Sequence, residues 1–181
     1  MDTDDNDGSV GKETYVFTPV ALKLESTDKV KDMGIAPHTC VTLLNGKVKC
    51  SGTNRNGESG GAIMGNDILV TSFTLIDGLN NVVQTSEGGF HNCSLLKNGT
   101  VKCWGWNSSG QLGDGTTADS FSPVKVKGVS KAISINVNIY HSCVISSETM
   151  PMCWGANANG QLGGGSIGGN SSIPVKMKNL F

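Results

Sequence analysis

Charge of either sign is scarce in this chain, and so is any long apolar stretch. Lysine and arginine total 14 against 15 aspartate and glutamate in 181 residues, a formal net charge of −1. The lysines stand singly along strand-like segments, so no basic face is built for nucleic acid or anionic lipid. No run of about 18 apolar residues exists, which leaves nothing to insert into a membrane as a helix. Long Ala/Leu/Glu/Lys runs are missing too, and with them the composition of a helical protein. The opening "MDTDDNDGSVGK" is acidic where a secretory leader carries a basic segment and an apolar core. Residues 1–17 are therefore expected to be a flexible acidic tail. Asp2, Asp4, Asn6 and Gly8 have the early spacing of an EF-hand loop, but the distal glutamate that such a loop requires is absent.

Glycine is what the chain has instead, with 25 residues, about twice the usual share of roughly 7%. Asn, Ser, Thr and Val are also plentiful, a composition of short strands and many turns. The length suits one ordinary domain with a real core. A search for internal period places Cys40 over Cys93 over Cys143, and Cys50 over Cys103 over Cys153. The copies read "PHTCVTLLNGKVKCSGTNRNGESG", "FHNCSLLKNGTVKCWGWNSSGQLG" and "YHSCVISSETMPMCWGANANGQLG". Between them lie segments with two short β-rich runs each, so every unit has about four strands, as a β-propeller blade does. In the second copy these are expected near Phe73 to Ile76, Asn81 to Thr85, His91 to Leu96 and Thr100 to Gly105. The units are drawn at residues 18–71, 72–122 and 123–173. Residues 174–181, with "IPVKM" just before and into them, are read as the first strand of an incomplete next unit.

The ten-residue cysteine spacing defines a hairpin. If Cys40 and Cys50 stand opposite one another, Leu44, Asn45 and Gly46 are left as a three-residue loop, whose last position favours glycine in the left-handed region. Gly99 falls at the same place in copy two. Thr149 takes it in copy three, where the turn is expected to be strained or longer, and Pro151 requires an unpaired N–H side. Directly opposed cysteines lie within disulfide reach. The favoured reading is therefore Cys40–Cys50, Cys93–Cys103 and Cys143–Cys153, and with it an oxidising compartment. A metal site is the alternative, since His38, Cys40 and Cys50 could converge, though no fourth ligand recurs. Reduced thiols are the third. The histidines oppose Gly52, Gly105 and Gly155, which leave room for an imidazole, so a structural role is favoured for His38, His91 and His141.

The longest shared phrase is the "CWGxNxxGQLGxG" of copies two and three. Trp104 and Trp154 bring large apolar area with one N–H to satisfy. Gly105, Asn107, Gly110 and Gly113, with Gly155, Asn157, Gly160 and Gly163, suit a turn that visits positive φ. Leu112 and Leu162 are expected to anchor the loop. Gln111 and Gln161 stand where catalysis would want a nucleophile with a base or paired carboxylates, so no catalytic residue is assigned. Gly163, Gly165 and Gly168 satisfy GxGxxG without the helix or downstream acid of a dinucleotide site, and no cofactor or metal is assigned. Asn-x-Ser/Thr triplets at Asn92, Asn98, Asn107 and Asn170 are read at most as surface markers.

From about Thr18 onward the chain resembles the repeat of the regulator of chromosome condensation, in the cysteine-containing form common in secreted bacterial proteins. The match is close in copies two and three. It is weaker in copy one, where Ser51 replaces Trp, and Glu58 and Ser59 replace Gln and Leu. The resemblance implies an all-β propeller of about seven four-stranded blades serving as a protein-binding platform. No shared catalytic residue comes with it. Three repeats cannot close such a ring, so the chain is expected either to be a segment of a longer propeller or to close one by self-association. The favoured function is a non-catalytic module whose loops bind a protein partner, in an extracellular or periplasmic setting. The alternatives are a propeller-based enzyme, lyase or hydrolase, using Glu87, His91 and Asp114 at a blade end, and guanine-nucleotide exchange on a small GTPase. Copy one departs most from the repeat, through "CSGTNRNGESG" and the inserted "GAIMGNDILVTSF". Arg55 and Glu58 are therefore the candidate partner-binding residues.

Overall fold

A computed structural model describes residues 24–60, 69–148 and 150–178. The acidic tail, most of the "GAIMGNDILVTSF" insertion and the Thr149 turn position lie outside the described residues. Among the described residues twelve strands form three antiparallel sheets of four. The first contains β1 (Val30–Ile35), β2 (His38–Leu43), β3 (Val48–Thr53) and β4 (Leu69–Leu75). The second contains β5 (Val82–Glu87), β6 (His91–Leu96), β7 (Val101–Gly105) and β8 (Ser120–Lys125). The third contains β9 (Ala132–Val137), β10 (His141–Ser146), β11 (Met152–Gly155) and β12 (Ser171–Lys176). Each sheet is a simple meander in chain order. Strand β5 packs between β1 and β9, so the first strands of the three sheets are neighbours, as the inner strands of adjacent blades are. The three blades do not close a ring.

The strands are where the sequence places them, but the blades are grouped one strand later than the repeat boundaries. The run at Phe73 to Ile76, expected to open unit two, lies in β4 and pairs with β3 as the last strand of blade one. Likewise β12, read as the start of a further unit, pairs with β11 and completes blade three. Cysteine alignment fixes a period without a phase, because a junction strand can pair backward or forward. The connecting loop decides. Asn107 N–H donates to Asp119 Oδ1, and its Nδ2 donates to the Ala118 carbonyl, which returns the chain to β7 rather than sending it on to the next blade.

The hairpin register agrees residue by residue with the ten-residue spacing. Cys40 faces Cys50, Cys93 faces Cys103 and Cys143 faces Cys153. All three pairs lie at disulfide distance. Gly46 and Gly99 occupy the left-handed region at φ of 76° and 79°. Both glycines also allow a close approach between blades. A Cβ on Gly99 would lie 2.6 Å from the Lys131 Cα, so the turn tip docks against the entry to the next blade. There Ala132 N–H donates to the Gly99 carbonyl at 3.1 Å, as Val82 N–H does to Gly46 at 3.0 Å. Strand β11 begins only after Pro151, whose missing N–H shortens it to four residues.

Candidate functional site

The repeated motif is consumed in holding each blade to the one before it. Trp104 and Trp154 are fully buried. The Trp154 indole N–H donates to the Gln111 carbonyl at 2.8 Å, and Trp104 donates to the Glu58 carbonyl at 3.1 Å. The residue after each histidine adds a second link. Ser142 Oγ donates to the Gln111 carbonyl and lies 2.8 Å from His91 Nε2, while Asn92 donates to the Glu58 carbonyl and lies 2.6 Å from His38 Nε2. A carbonyl and an imidazole of one blade thus meet an indole and a short polar side chain of the next. Leu112 and Leu162 are buried.

Asn107 and Asn157 are buried too, but neither adopts positive φ. Their side chains hold the loop instead: Asn107 Oδ1 accepts Leu112 N–H and Asn157 Oδ1 accepts Leu162 N–H, while Nδ2 of Asn157 donates to the Gly168 carbonyl. The positive φ belongs to Gly105, Gly110, Gly113, Gly155, Gly160 and Gly163. The Asn-x-Ser/Thr triplets divide accordingly. Asn92 and Asn107 are buried framework rather than surface markers, whereas Asn98 and Asn170 are exposed.

Glu58 is a correction. Expected at a partner surface, it is 0% exposed, and its Oε2 accepts the Asn56 N–H just as Gln111 accepts Ser109 and Gln161 accepts Asn159. Glutamate is close enough in shape to glutamine to keep that acceptor, so the departure from the repeat is chemical and not geometric. Its Oε1 has no partner. Glu58→Ala should destabilise the chain by about 1–3 kcal/mol, because it strands the half-buried Asn56 N–H, whereas Glu58→Gln should be neutral or slightly stabilising. Equilibrium urea unfolding of both variants checks this. Arg55, in the same loop, is exposed.

The three residues considered for catalysis are each engaged separately. Asp114 accepts the Thr116 N–H and hydroxyl. His91 bonds Ser142 and is fully buried, and that burial lowers its pKa to about 3. Glu87 packs against Gly34, where a Cβ would coincide with its carboxyl, and burial pushes its pKa up to about 7 with help from the nearby Asp32. These two shifts act oppositely on stability. His91 is neutral when folded but gains a proton near pH 6.5 when unfolded, so stability falls as pH drops from about 6.5 toward 3, by about 1.4 kcal/mol per pH unit. Burial lowers His38 and His141 as well, in the same sense. Glu87 binds its proton more tightly when folded, so it adds stability as pH drops from about 7 toward 4.5. Glu87→Gln should therefore steepen the acid loss across that window in a pH series of urea midpoints.

What the framework does not consume gathers at one end of the blades. The residue before each histidine and the residue after each strand-end glycine are tied by a backbone bond: Trp106 N–H to the Phe90 carbonyl, and Ala156 N–H to the Tyr140 carbonyl, both at 2.9 Å. This brings Phe90, Trp106 and Tyr140 together, with ring centroids 5.7 and 5.6 Å apart in edge-to-face pairs. Tyr140 is 46% exposed. Asn56 completes a concavity with the three rings. Sequence reasoning missed this trio because it searched for what the copies share. The signal was in what they do not: Pro37, Phe90 and Tyr140 at one position, and Thr53, Trp106 and Ala156 at the other.

Two family models for the regulator of chromosome condensation (RCC1) repeat match the chain, at residues 98–145 and 82–111. Residues 82–145 are thus similar to the RCC1 repeat. Among relatives of the RCC1-repeat kind, the Arabidopsis thaliana ultraviolet-B receptor UVR8 is 30% identical over 117 residues, which are 64% of this chain and 26% of the receptor. The X-linked retinitis pigmentosa GTPase regulator of Canis lupus familiaris is 31% identical over 108 residues, 58% of this chain and 10% of that protein. In structure, Prp20p of Saccharomyces cerevisiae, studied for binding to Gsp1p and histones, superposes with a TM-score of 0.75 at 21% identity. That superposition covers 83% of this chain and 39% of Prp20p. Human WBSCR16 gives 0.72 at 26% identity, covering 87% and 42%. This chain thus spans less than half the length of each of these relatives.

Proposed function

We propose that this chain is a non-catalytic protein-interaction module, an RCC1-repeat propeller segment whose loop end binds a protein partner outside the reducing cytosol. The observation that carries this reading is the division of labour between residues. The repeated Trp, Asn and Leu side chains, with Gln111, are buried in blade-to-blade and loop contacts, while the side chains that differ between copies, Phe90, Trp106 and Tyr140 among them, meet at one accessible end. Prp20p and its binding to Gsp1p and histones supply a precedent for protein partners on this fold. The disulfides fit an extracellular or periplasmic setting.

Further blades of a longer propeller fit the face of blade three that carries Gln161 better than a second copy of this chain. The Gln161 carbonyl stands where Gln111 meets the indole of Trp154, and blade one, with Ser51 at that position, has no indole to offer it. Light scattering of the purified chain should accordingly give a monomer mass. A stable closed dimer or trimer would overturn this part.

Affinity capture from the native compartment tests the function. The intact chain should retain a partner that the Trp106→Ala/Tyr140→Ala variant loses at unchanged melting temperature. Turnover of an ester or glycoside panel that Glu87→Gln abolishes would overturn the reading in favour of an enzyme. Accelerated release of labelled guanine nucleotide from a small GTPase would redirect it to exchange.

A further inference from the structure

The last inner-strand residue of each blade, the one paired with the residue after the histidine, is Ile35 in blade one, Glu87 in blade two and Val137 in blade three. The repeat holds no constant residue here, so the carboxyl of Glu87 is no part of the framework. The three line one groove at the loop end, with Pro37, Phe90 and Ile139 also in its walls. Ile35 is 81% exposed and Ile139 44% exposed. Phe90 is shared between this groove and the concavity formed with Asn56, Trp106 and Tyr140, so the two adjoin.

A single carboxyl between two aliphatic side chains is a specific combination. Oε1 of Glu87 is buried without a hydrogen-bond donor, an arrangement that costs free energy until a donor arrives. Among the described residues the neighbouring elements bring no cation to it, since Lys31 of β1 donates instead to the Val83 carbonyl, four residues before Glu87. Residues 132–140, which form β9 and the loop after it, contain no Lys, Arg or His, and His91 is held neutral by burial. The charged group facing it from β1 is Asp32, of the same sign. Among the described residues the site therefore has no positive charge, and exposed apolar walls lead to the place where one would sit.

We propose, on the basis of the protein-interaction reading, that this groove takes a lysine side chain of the partner. Its methylene stem lies along Ile35, Val137 and Ile139, and its ammonium meets Glu87. An apolar or aromatic neighbour in the same segment packs on Trp106 and Tyr140. Lysine combines an apolar stem with a compact charged tip, which is the pattern of the groove. The adjoining ring faces add attraction for a cation at close range. Gly34, where a Cβ would coincide with the Glu87 carboxyl, leaves that carboxyl its place beside the groove wall formed by Ile35.

The probe is the blocked tripeptide acetyl-Leu-Lys-Phe-amide, titrated into the full 181-residue chain and followed by amide and indole nuclear magnetic resonance shifts. Signals of Glu87, Gly88, Gly89, Phe90 and the Trp106 indole should move together. The apparent Kd should be about tenfold tighter than for the same peptide with norleucine, the preference expected of one charge-assisted contact. In Glu87→Gln that preference should vanish while the norleucine affinity stays. Equal affinity for both peptides in the wild-type chain, shifts confined to other residues, or no shifts at all would each overturn the proposal. So would an uncharged oligosaccharide moving the same signals more strongly than the lysine peptide. The wild-type comparison stands even if Glu87→Gln fails to fold. Failure of the underlying reading looks different: a captured partner that binds Glu87→Gln undiminished sinks the lysine site alone, whereas turnover without any partner sinks both.

Discussion

Replacing Trp154 by alanine should cost about 3–5 kcal/mol, the range for deleting a large aromatic from a packed core. Its side chain is 0% exposed and lies in the core shared by blades two and three, with Leu112, Val126 and Ile135. Native domains are stable by only about 5–15 kcal/mol, so the variant should sit near the edge of folding. A chain of this size loses roughly 2–4 °C of melting temperature per kcal/mol, which puts the expected drop near 10 °C or more. Trp154→Phe separates the contributions. It keeps most of the apolar area but removes the donor to the Gln111 carbonyl, which still accepts the Ser142 hydroxyl at 3.0 Å. The acceptor is then not orphaned, and the loss should be about 1–2 kcal/mol. Because each blade contacts only its neighbours, the damage should also be local. Hydrogen exchange should show blade three losing protection before blade one. Equal loss in all three blades would mean that Trp154 serves general stability rather than the junction it spans.

Local arithmetic made part of this fold legible in advance. A spacing of ten between opposed cysteines leaves one hairpin loop and one position for glycine, and the strand expected at His91 to Leu96 is β6 to the residue. Such features depend on nearest neighbours in sequence. What depended on distant partners was not legible. The grouping of strands into blades hangs on Asn107, which closes its own loop through the Ala118 carbonyl, and nothing in the repeat period encodes that choice. Gly46 and Gly99 were readable as turn glycines but not as docking points for Val82 and Ala132, which lie more than 30 residues further on. Glu58 misled for a related reason. A lost consensus letter signals a free surface only if the new side chain cannot replace the old one, and glutamate accepts the same backbone N–H as glutamine. The aromatic trio shows the converse. Phe90 and Trp106 come from two positions of copy two and Tyr140 from copy three, and only the backbone bonds between loop ends bring the rings together.

Full reduction of the three disulfides should unfold the chain at ordinary temperature. Each bridge joins cysteines ten residues apart. On the chain-entropy model, closing a loop of that size stabilises the fold by about 2–3 kcal/mol. The pairs sit in separate blades, so their contributions should be close to additive, about 6–9 kcal/mol together. That is comparable to the whole net stability of a typical domain. All the cysteines of the first two pairs, and Cys153 of the third, are buried at 1% exposure or less, so alanine is the better replacement, since serine would add an unsatisfied hydroxyl to the core. Cys93→Ala/Cys103→Ala should lower the urea midpoint most visibly, because blade two packs against both neighbours and its disulfide lies in the core it shares with blade three. The equivalent change at Cys143 and Cys153 should loosen blade three while blades one and two stay protected from exchange. An intact-mass measurement lower than the sequence mass by three lost hydrogen pairs, followed by unfolding in excess dithiothreitol, completes the test. A reduced chain with an unchanged midpoint would show that the blades are held by their indole and imidazole contacts alone, and would remove the physical reason for placing the protein in an oxidising compartment.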